Sequence, residues 1–203
     1  NGVDDIPDDK KPDHARVGEV VYRTAKELQS YISKLEEIRV PVIAAVQGGV
    51  IGGALDLITA CDMRFASNDA FFCIQEINIG MAADVGTLQR LPKIIPDSKM
   101  REMAYTGRRM LADEAKDSGL VGEIYETQDE MLKAVHKLAA EIASKSPVAI
   151  YGLKAVMNYS RDHNVSDSLD FNALWSGAML SQADMTEAMT CLLYTSPSPR
   201  DTG

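Results

Sequence analysis

The chain has 203 residues, of which 45% are hydrophobic and 25% are charged, as in an ordinary globular protein with a sizeable core. The formal net charge of −9 argues against nucleic acid as a partner and gives no hint of a basic membrane-binding patch. No apolar run reaches the roughly 20 residues that a membrane-spanning helix needs. The three cysteines and three histidines share no motif spacing, which favours reduced thiols in an intracellular protein and gives no metal-ligand pattern.

Both ends of the chain differ from the sequence between them. Residues 1–17 are acidic and contain two prolines, which predicts a loop. The last twelve residues, LLYTSPSPRDTG, break from the helical pattern before them. They can be interpreted as a disordered Ser/Pro tail or as translated adapter sequence that begins near Cys191 or Leu192. The second interpretation is favoured, so residues 191–203 are predicted to be a non-native tail.

The first half of the chain predicts alternating helices and strands. Apolar residues recur every three or four positions over 18–38, which predicts an amphipathic helix. Pro41 ends it, and the apolar run Val42–Val46 predicts a strand that is covered on both faces. Further elements are expected as a helix over 54–60, strands over 63–66 and 70–74, a loop from Gly80 to Gly86 and a helix over 87–91. This alternation is typical of an α/β layered fold.

The second half of the chain is predicted to be mostly helical. The expected elements are helices over 98–105 (capped by Asp97), 112–118 (closed by Gly119), 128–144 (capped by Thr127), 147–160 and 167–180 (capped by Ser166), a strand over 120–125, and a last helix that starts near Gln182. The predicted domain organisation is an α/β core over 1–125 followed by a helical region over 126–190.

Four glycines follow the first predicted strand, as Gly48, Gly49, Gly52 and Gly53. A phosphate-binding loop would need a Lys after the last glycine, and the G-G-x-x-G-G spacing matches a dinucleotide-binding fingerprint poorly. The third interpretation is an oxyanion hole, in which backbone N–H groups at a turn entering a helix stabilise a developing negative charge. Tight packing of the turn remains the structural alternative.

Three acids, Asp56, Glu76 and Asp84, stand among apolar or small residues. Carboxylates are seldom placed there unless they are paired or used. Each also has a structural interpretation: Asp56 capping or pairing within its helix, Glu76 ending an exposed strand, and Asp84 capping helix 87–91. Asp62 and Asp69 are interpreted as structural only. Taken singly, the structural interpretations are the more common ones, and the ordered combination of the three acids is what favours a catalytic site.

The segment PVIAAVQGGVIGGALDLITACDMRFAS resembles the enoyl-CoA hydratase/isomerase (crotonase) superfamily. The segments GMAADVGTLQRLPKII and TGRRMLADEAKDSGLVGEIY strengthen the resemblance, which covers the chain from about Pro41 to Asp184. It implies an α/β fold built as a spiral of ββα turns with a helical C-terminal region. It also implies a homotrimer or homohexamer and a CoA thioester that lies across the glycine turn.

Within the superfamily, the patterns D-L-x-T-A-C-D, x-E-x-x-x-G and A-A-D-V-G-T are similar to those of dienoyl-CoA isomerases. A hydratase would usually carry Glu at position 56 and a small residue at position 84, so Asp84 is the discriminating residue. The resemblance implies that Glu76 and Asp84 transfer protons, in either order along the substrate, while Asp56 orients or supports them. The expected reaction converts 3,5-dienoyl-CoA to 2,4-dienoyl-CoA.

The resemblance also assigns the oxyanion hole. Gly53 matches the position whose N–H forms one half of it. The other half comes from an upstream S-A-G-x-D-L loop, of which Asn1–Asp4 is interpreted as a remnant, so the N–H of Asn1 is the expected partner. The upstream strands of the family domain are predicted to be missing, and the family's third glycine is Ala54 here.

Because the expected reaction moves protons without net oxidation or reduction, no metal, flavin or nicotinamide cofactor is expected. Family members occur in mitochondria and peroxisomes, and either location is expected here. Two alternatives remain open. One is a hydratase in which Asp56 and Glu76 flank a water molecule, and the other is a non-catalytic or incomplete member of the superfamily.

Overall fold

The computed structural model describes residues 13–195, with side chains for residues 13–190. These residues form two compact units, one made of 13–37 and 42–133 and the other of 38–41 and 134–195. Within this described part, no helix is both long and apolar enough to cross a membrane. The predicted role of Asn1 and residues 1–12 of the predicted loop fall outside the described residues, whereas residues 14–17 of that loop belong to the first helix.

The first unit contains all six described strands. Its elements are α1 (His14–Glu37), β1 (Ile43–Val46), β2 (Gly49–Ile51), α2 (Gly53–Thr59), β3 (Met63–Ser67), β4 (Phe71–Cys73), a 3-10 turn (Glu76–Ile79), α3 (Thr87–Arg90), a second 3-10 turn (Leu91–Lys93), α4 (Asp97–Thr106), β5 (Arg109–Leu111), α5 (Ala112–Asp117) and β6 (Glu123–Tyr125). The next helix, α6 (Gln128–Ala143), begins in this unit and continues into the second.

Two three-stranded sheets organise this unit. β1 pairs in parallel with β3, and β2 pairs in parallel with β4, so a strand–strand–helix turn of the chain stacks on the next such turn. β6 extends the first sheet in parallel, and β5 extends the second as an antiparallel edge. This stacking confirms the expected spiral of ββα turns. Apolar residues from both sheets and their helices fill the core, the fully enclosed ones being Leu55, Ala66, Phe72, Leu91, Met103, Met110, Ala115 and Leu120.

Two strands were not predicted from the sequence. β2 lies inside the glycine cluster that was interpreted as a tight turn, and β5 lies between two predicted helices. Each has only three residues, too few for a period-two pattern to show. Both exist because β4 lies between them and pairs with each along its length.

Two helix caps differ from the predicted ones. Asp97 is the first residue of α4 rather than its cap, which is Pro96. The helix over 165–179 is capped by Asn164, whose side-chain oxygen accepts the N–H of Asp167 at 3.0 Å, and Ser166 lies within its first turn. Ser, Asn and Asp are all good caps, so three neighbouring candidates cannot be ranked by composition alone.

The second unit is helical, as predicted, with α7 (Pro147–Asp162), α8 (Val165–Met179) and α9 (Gln182–Thr195). Aromatic side chains join α7 to α8: Tyr151 meets Trp175 edge-on at 4.9 Å, and Tyr159 stacks on Phe171 at 4.3 Å. α9 continues past residue 191, so the helix does not stop where the non-native tail was predicted to begin. The remainder of that predicted tail lies outside the described residues.

Candidate active site

The glycine turn leads from β2 into α2 and leaves a backbone donor free. Gly52 has φ +54, and its N–H donates to the carbonyl of Cys73 at 3.0 Å. Its own carbonyl accepts from the N–H groups of Leu55 at 2.7 Å and Asp56 at 3.2 Å, which starts the helix. The N–H of Gly53, the first helical residue, has no acceptor within the helix, and Gly53 is exposed. This is the geometry that an oxyanion hole requires of its backbone donor.

Glu76 lies against this turn. It starts the 3-10 turn after β4 rather than ending an exposed strand, which was its structural interpretation. A Cβ added to Gly52 would stand only 2.9 Å from Oε1 of Glu76. The carboxylate therefore packs on the Cα of Gly52, one residue before the free N–H of Gly53. The structure thus brings these two predicted site residues together.

Asp56 is a buried anchor in α2. It is 1% exposed, and its Oδ1 accepts the N–H of Thr87, the first residue of α3, at 2.6 Å. The structural interpretation, a cap or a pair within its own helix, is therefore wrong, since the cap residue of α2 is Gly52. The contact instead ties the helix that starts at Gly53 to the helix that follows Asp84. This geometry agrees with an orienting role for Asp56.

Asp84 lies in the loop before α3, three residues upstream of Thr87. It does not cap α3, whose cap residue is Gly86, so its structural interpretation is also wrong. Its carboxyl is exposed, and its backbone carbonyl accepts a hydrogen bond from Nε2 of Gln29 in α1 at 2.7 Å. Sequence reasoning missed Gln29, because one polar residue on an amphipathic helix carries no motif signal.

An ion pair fixes the other end of the Asp84 loop. Nη2 of Arg90 lies 2.7 Å from Glu36 and 3.0 Å from Ser33, and the two charged side chains are only 13% and 14% exposed. The Arg90 guanidinium covers Gly86, which has φ +140 and whose added Cβ would meet Nη1 at 1.9 Å. A glycine is therefore required there, both for its backbone conformation and for the space.

An apolar cavity of about 350 Å³ adjoins both acid-bearing segments. Ile77, which follows Glu76, and Ala83, which precedes Asp84, both line it. The other lining residues are Ile74, Met81, Ala82, Leu88, Met100, Arg101, Ala104 and Tyr105. A cavity with this lining suits a hydrocarbon chain.

The remaining predictions for this region are structural. Asp62 accepts the N–H of Val42 at 2.7 Å, and Asp69 accepts the hydroxyl of Ser67, which confirms that both acids have structural contacts. Ala54 is an exposed residue in the first turn of α2, so its methyl group is accommodated where the family has glycine.

The chain is similar over most of its length to three proteins named Delta(3,5)-Delta(2,4)-dienoyl-CoA isomerase. The mitochondrial one of Mus musculus is 47% identical over 87% of this chain and 54% of its own length. The mitochondrial one of Homo sapiens is 47% identical over 91% and 57%, and the peroxisomal one of Arabidopsis thaliana is 45% identical over 88% and 64%. The chain therefore spans a little over half the length of the relatives it matches.

Solved structures show the same fold. An enoyl-CoA hydratase/isomerase from Cupriavidus metallidurans CH34 superposes with a TM-score of 0.83 at 26% identity, over 89% of this chain and 68% of that one. An enoyl-CoA hydratase from Bacillus anthracis gives 0.80 at 26% identity, over 90% and 71%. The sequence pattern of the family described as enoyl-CoA hydratase/isomerase matches residues 16–197. The chain belongs to this enoyl-CoA hydratase/isomerase family.

Proposed function

We propose that the protein carrying this chain isomerises 3,5-dienoyl-CoA to 2,4-dienoyl-CoA. The observation that carries the proposal is the placement of Glu76 at the glycine turn and of Asp84 in the loop tied to it, in a chain 45–49% identical to relatives named for this activity. Asp84 is the acid that the hydratase pattern lacks.

The first step of the proposed reaction uses the glycine turn. The thioester oxygen accepts the free N–H of Gly53, and Glu76 takes a proton from C2 of the acyl chain. The C2–H bond breaks, and its electron pair delocalises from C2 onto the thioester oxygen on one side and over the diene on the other. One donor in an oxyanion hole contributes roughly 3–4 kcal/mol to lowering such a barrier.

The second step delivers a proton at the far end of the diene. Asp84 gives its proton to C6, a C6–H bond forms, and the double bonds at C3 and C5 become double bonds at C2 and C4. Glu76 ends protonated and Asp84 ionised, so a proton exchange with solvent completes the cycle. Because electrons only shift within the substrate, the proposal assigns no cofactor.

The proposal also covers the binding site of the acyl chain, the oligomeric state of the protein and the organelle in which it is found. The 350 Å³ apolar cavity, which is lined by the sequence neighbours Ile77 of Glu76 and Ala83 of Asp84, is assigned to the acyl chain. A homotrimer or homohexamer is proposed from the family resemblance, together with a second oxyanion donor from an upstream loop. Relatives are named as mitochondrial or peroxisomal, which supports one of these two organelles for this protein.

A hydratase is the second candidate, because several structures that share the fold are described as enoyl-CoA hydratases. That reaction would need Asp56 and Glu76 on either side of one water. The Asp56 contact disfavours this, since the buried carboxylate already accepts the N–H of Thr87 at 2.6 Å. The isomerase proposal therefore accounts for more of the observed contacts.

Substrate choice tests the proposal. The full encoded protein that carries this chain is offered a 3,5-dienoyl-CoA and, separately, a 2-enoyl-CoA. We expect the ultraviolet absorbance of a conjugated 2,4-dienoyl thioester to rise with the first substrate. Hydration of the second substrate without conversion of the first would replace the proposal with the hydratase.

A further inference from the structure

Two side chains that flank Glu76 donate to one backbone carbonyl. Sγ of Cys73, at the end of β4, lies 3.2 Å from the carbonyl oxygen of Gly107. Nδ2 of Asn78, inside the 3-10 turn, lies 3.2 Å from the same oxygen. The backbone on both sides of Glu76 is therefore fixed to the residue that ends α4.

Gln75 closes the cluster. Its Oε1 accepts from Nδ2 of Asn78 at 3.2 Å and lies 3.3 Å from Sγ of Cys73, so it shares the single S–H of that thiol with the Gly107 carbonyl. Burial raises the pKa of the Cys73 thiol, so it remains protonated and able to donate near neutral pH. We call Cys73, Gln75, Asn78 and the carbonyl of Gly107 the Gly107 clamp.

The clamp depends on the absence of a side chain at Gly107. This residue ends α4 with φ +62, and a Cβ added there would stand 2.4 Å from Nδ2 of Asn78. Glycine thus serves two needs at this position. It adopts the left-handed conformation, and it allows the Asn78 amide to approach the backbone.

Glu76 needs such external support. Among the described residues, no donor forms a hydrogen bond with its carboxylate, so its orientation depends on the backbone that carries it. That backbone is a four-residue 3-10 turn, a tight and weakly bonded element. A displacement of about 1 Å in a catalytic group can cost roughly a hundredfold in rate.

We propose that the Gly107 clamp positions the Glu76 carboxylate against the glycine turn, with Asn78 as its central positioning residue. The inference rests on the proposed function, because it assigns the purpose of the clamp to a proton transfer by Glu76. Asn78 touches neither substrate nor reacting atoms in this account. It acts through the turn that carries Glu76.

Asn78→Ala tests the inference by two independent measurements. We expect kcat on the 3,5-dienoyl-CoA to fall by about tenfold or more while KM stays within about twofold, because positioning and not binding is lost. Hydrogen exchange of the amides over 74–81 should become faster. Asn68→Ala is the matched control, because its Nδ2 also bonds to a residue distant in sequence, Glu126, at 3.5 Å. Asn68 lies in the turn between β3 and β4, and its side chain makes no described contact with the Gly107 clamp.

Alanine substitutions at two glycines distinguish a loss of Glu76 positioning from a general effect of backbone strain. Gly107→Ala and Gly119→Ala both place a methyl group on a glycine that follows a helix at positive φ, +62 and +85. At Gly119 the nearest atom would be 3.6 Å away, whereas at Gly107 the methyl would displace Asn78. We expect similar losses of stability in both variants and a loss of kcat in Gly107→Ala alone.

Two results would overturn the clamp. One is unchanged exchange over 74–81 in Asn78→Ala, and the other is faster exchange with unchanged kcat. A parent protein that converts no diene would instead remove the proposed function, and the exchange measurement alone would then decide whether the cluster holds the turn.

Discussion

At the scale of single residues, Gly52 links the fold to the proposed chemistry. It needs a positive φ to turn the chain from β2 into α2, and it needs a bare Cα because the Glu76 carboxylate lies on it. The positive φ is a requirement of the fold, whereas the bare Cα is a requirement of the candidate active site. The requirement for positive φ can be tested apart from the requirement for space, because Gly48 has a positive φ but no atom close to its Cα side.

Gly52→Ala and Gly48→Ala form that comparison. Both residues have positive φ, +54 and +63, a backbone conformation that L side chains rarely adopt, so each alanine should cost roughly 1–3 kcal/mol in the free energy of unfolding. Only at Gly52 would the methyl press on Glu76, since nothing lies within 4 Å at Gly48. Chemical unfolding and turnover are measured for both. Equal kcat values for the two variants would show that the Glu76 contact has no role in catalysis.

Asp56 offers a second test at this scale. Asp56→Asn keeps an oxygen for the N–H of Thr87, so we expect a stable protein whose kcat falls far less than that of Asp84→Asn. Asp56→Ala leaves the Thr87 N–H buried without an acceptor, which should cost about 1–3 kcal/mol in the free energy of unfolding. If Asp56→Asn loses as much activity as Asp84→Asn, the charge of Asp56 takes part in the reaction and the orienting role is wrong.

At the scale of elements, charged side chains join the helices around the site. Glu114 in α5 accepts from Arg108, just before β5, at 2.7 Å and from Lys99 in α4 at 3.0 Å. The hydrogen bond from Arg108 is the largest cause that lowers the pKa of Glu114 from 4.5 to about 2. These contacts hold α4 and α5 together beside the strand that pairs with β4.

The lowered pKa of Glu114 predicts a contribution to the free energy of unfolding that is lost at acid pH. Because the folded-state pKa lies below the unfolded one, the contribution is complete above pH 4.5 and is lost as the pH falls toward 2. Unfolding is measured across this range for the parent and for Glu114→Gln. We expect the parent to lose stability more steeply, by up to about 1.4 kcal/mol per pH unit. Parallel pH profiles would show that Glu114 does not contribute in this way.

The elements also show what the sequence could and could not predict. Long periodic helices and the apolar strand Ile43–Val46 were predicted within a few residues, because their patterns repeat. The two three-residue strands were missed, since pairing with β4 and not their own composition creates them. The acids were identified from their order along the chain. Their supports at Gln29 and Thr87 were not, because each contact joins a side chain to a single backbone group and leaves no motif.

At the scale of the whole molecule, the fold and the family are shown, and the activity is proposed for the full encoded protein. Within the first unit, the described residues supply one candidate oxyanion donor, two candidate proton-transfer acids and a buried carboxylate that is proposed to orient them. The family resemblance assigns the second oxyanion donor to an upstream loop. In the proposed function, Asp84 is the residue that distinguishes a dienoyl-CoA isomerase from a hydratase.

The most direct measurement is conversion of a 3,5-dienoyl-CoA by the parent and by Asp84→Asn, followed by the ultraviolet absorbance of the 2,4-dienoyl product. Asp69→Asn serves as the control, since Asp69 contacts only a neighbouring turn residue, Ser67, among the partners described. We predict that the parent and the control convert the diene and that Asp84→Asn loses the activity by orders of magnitude. Conversion by Asp84→Asn at the parent's rate would contradict the account.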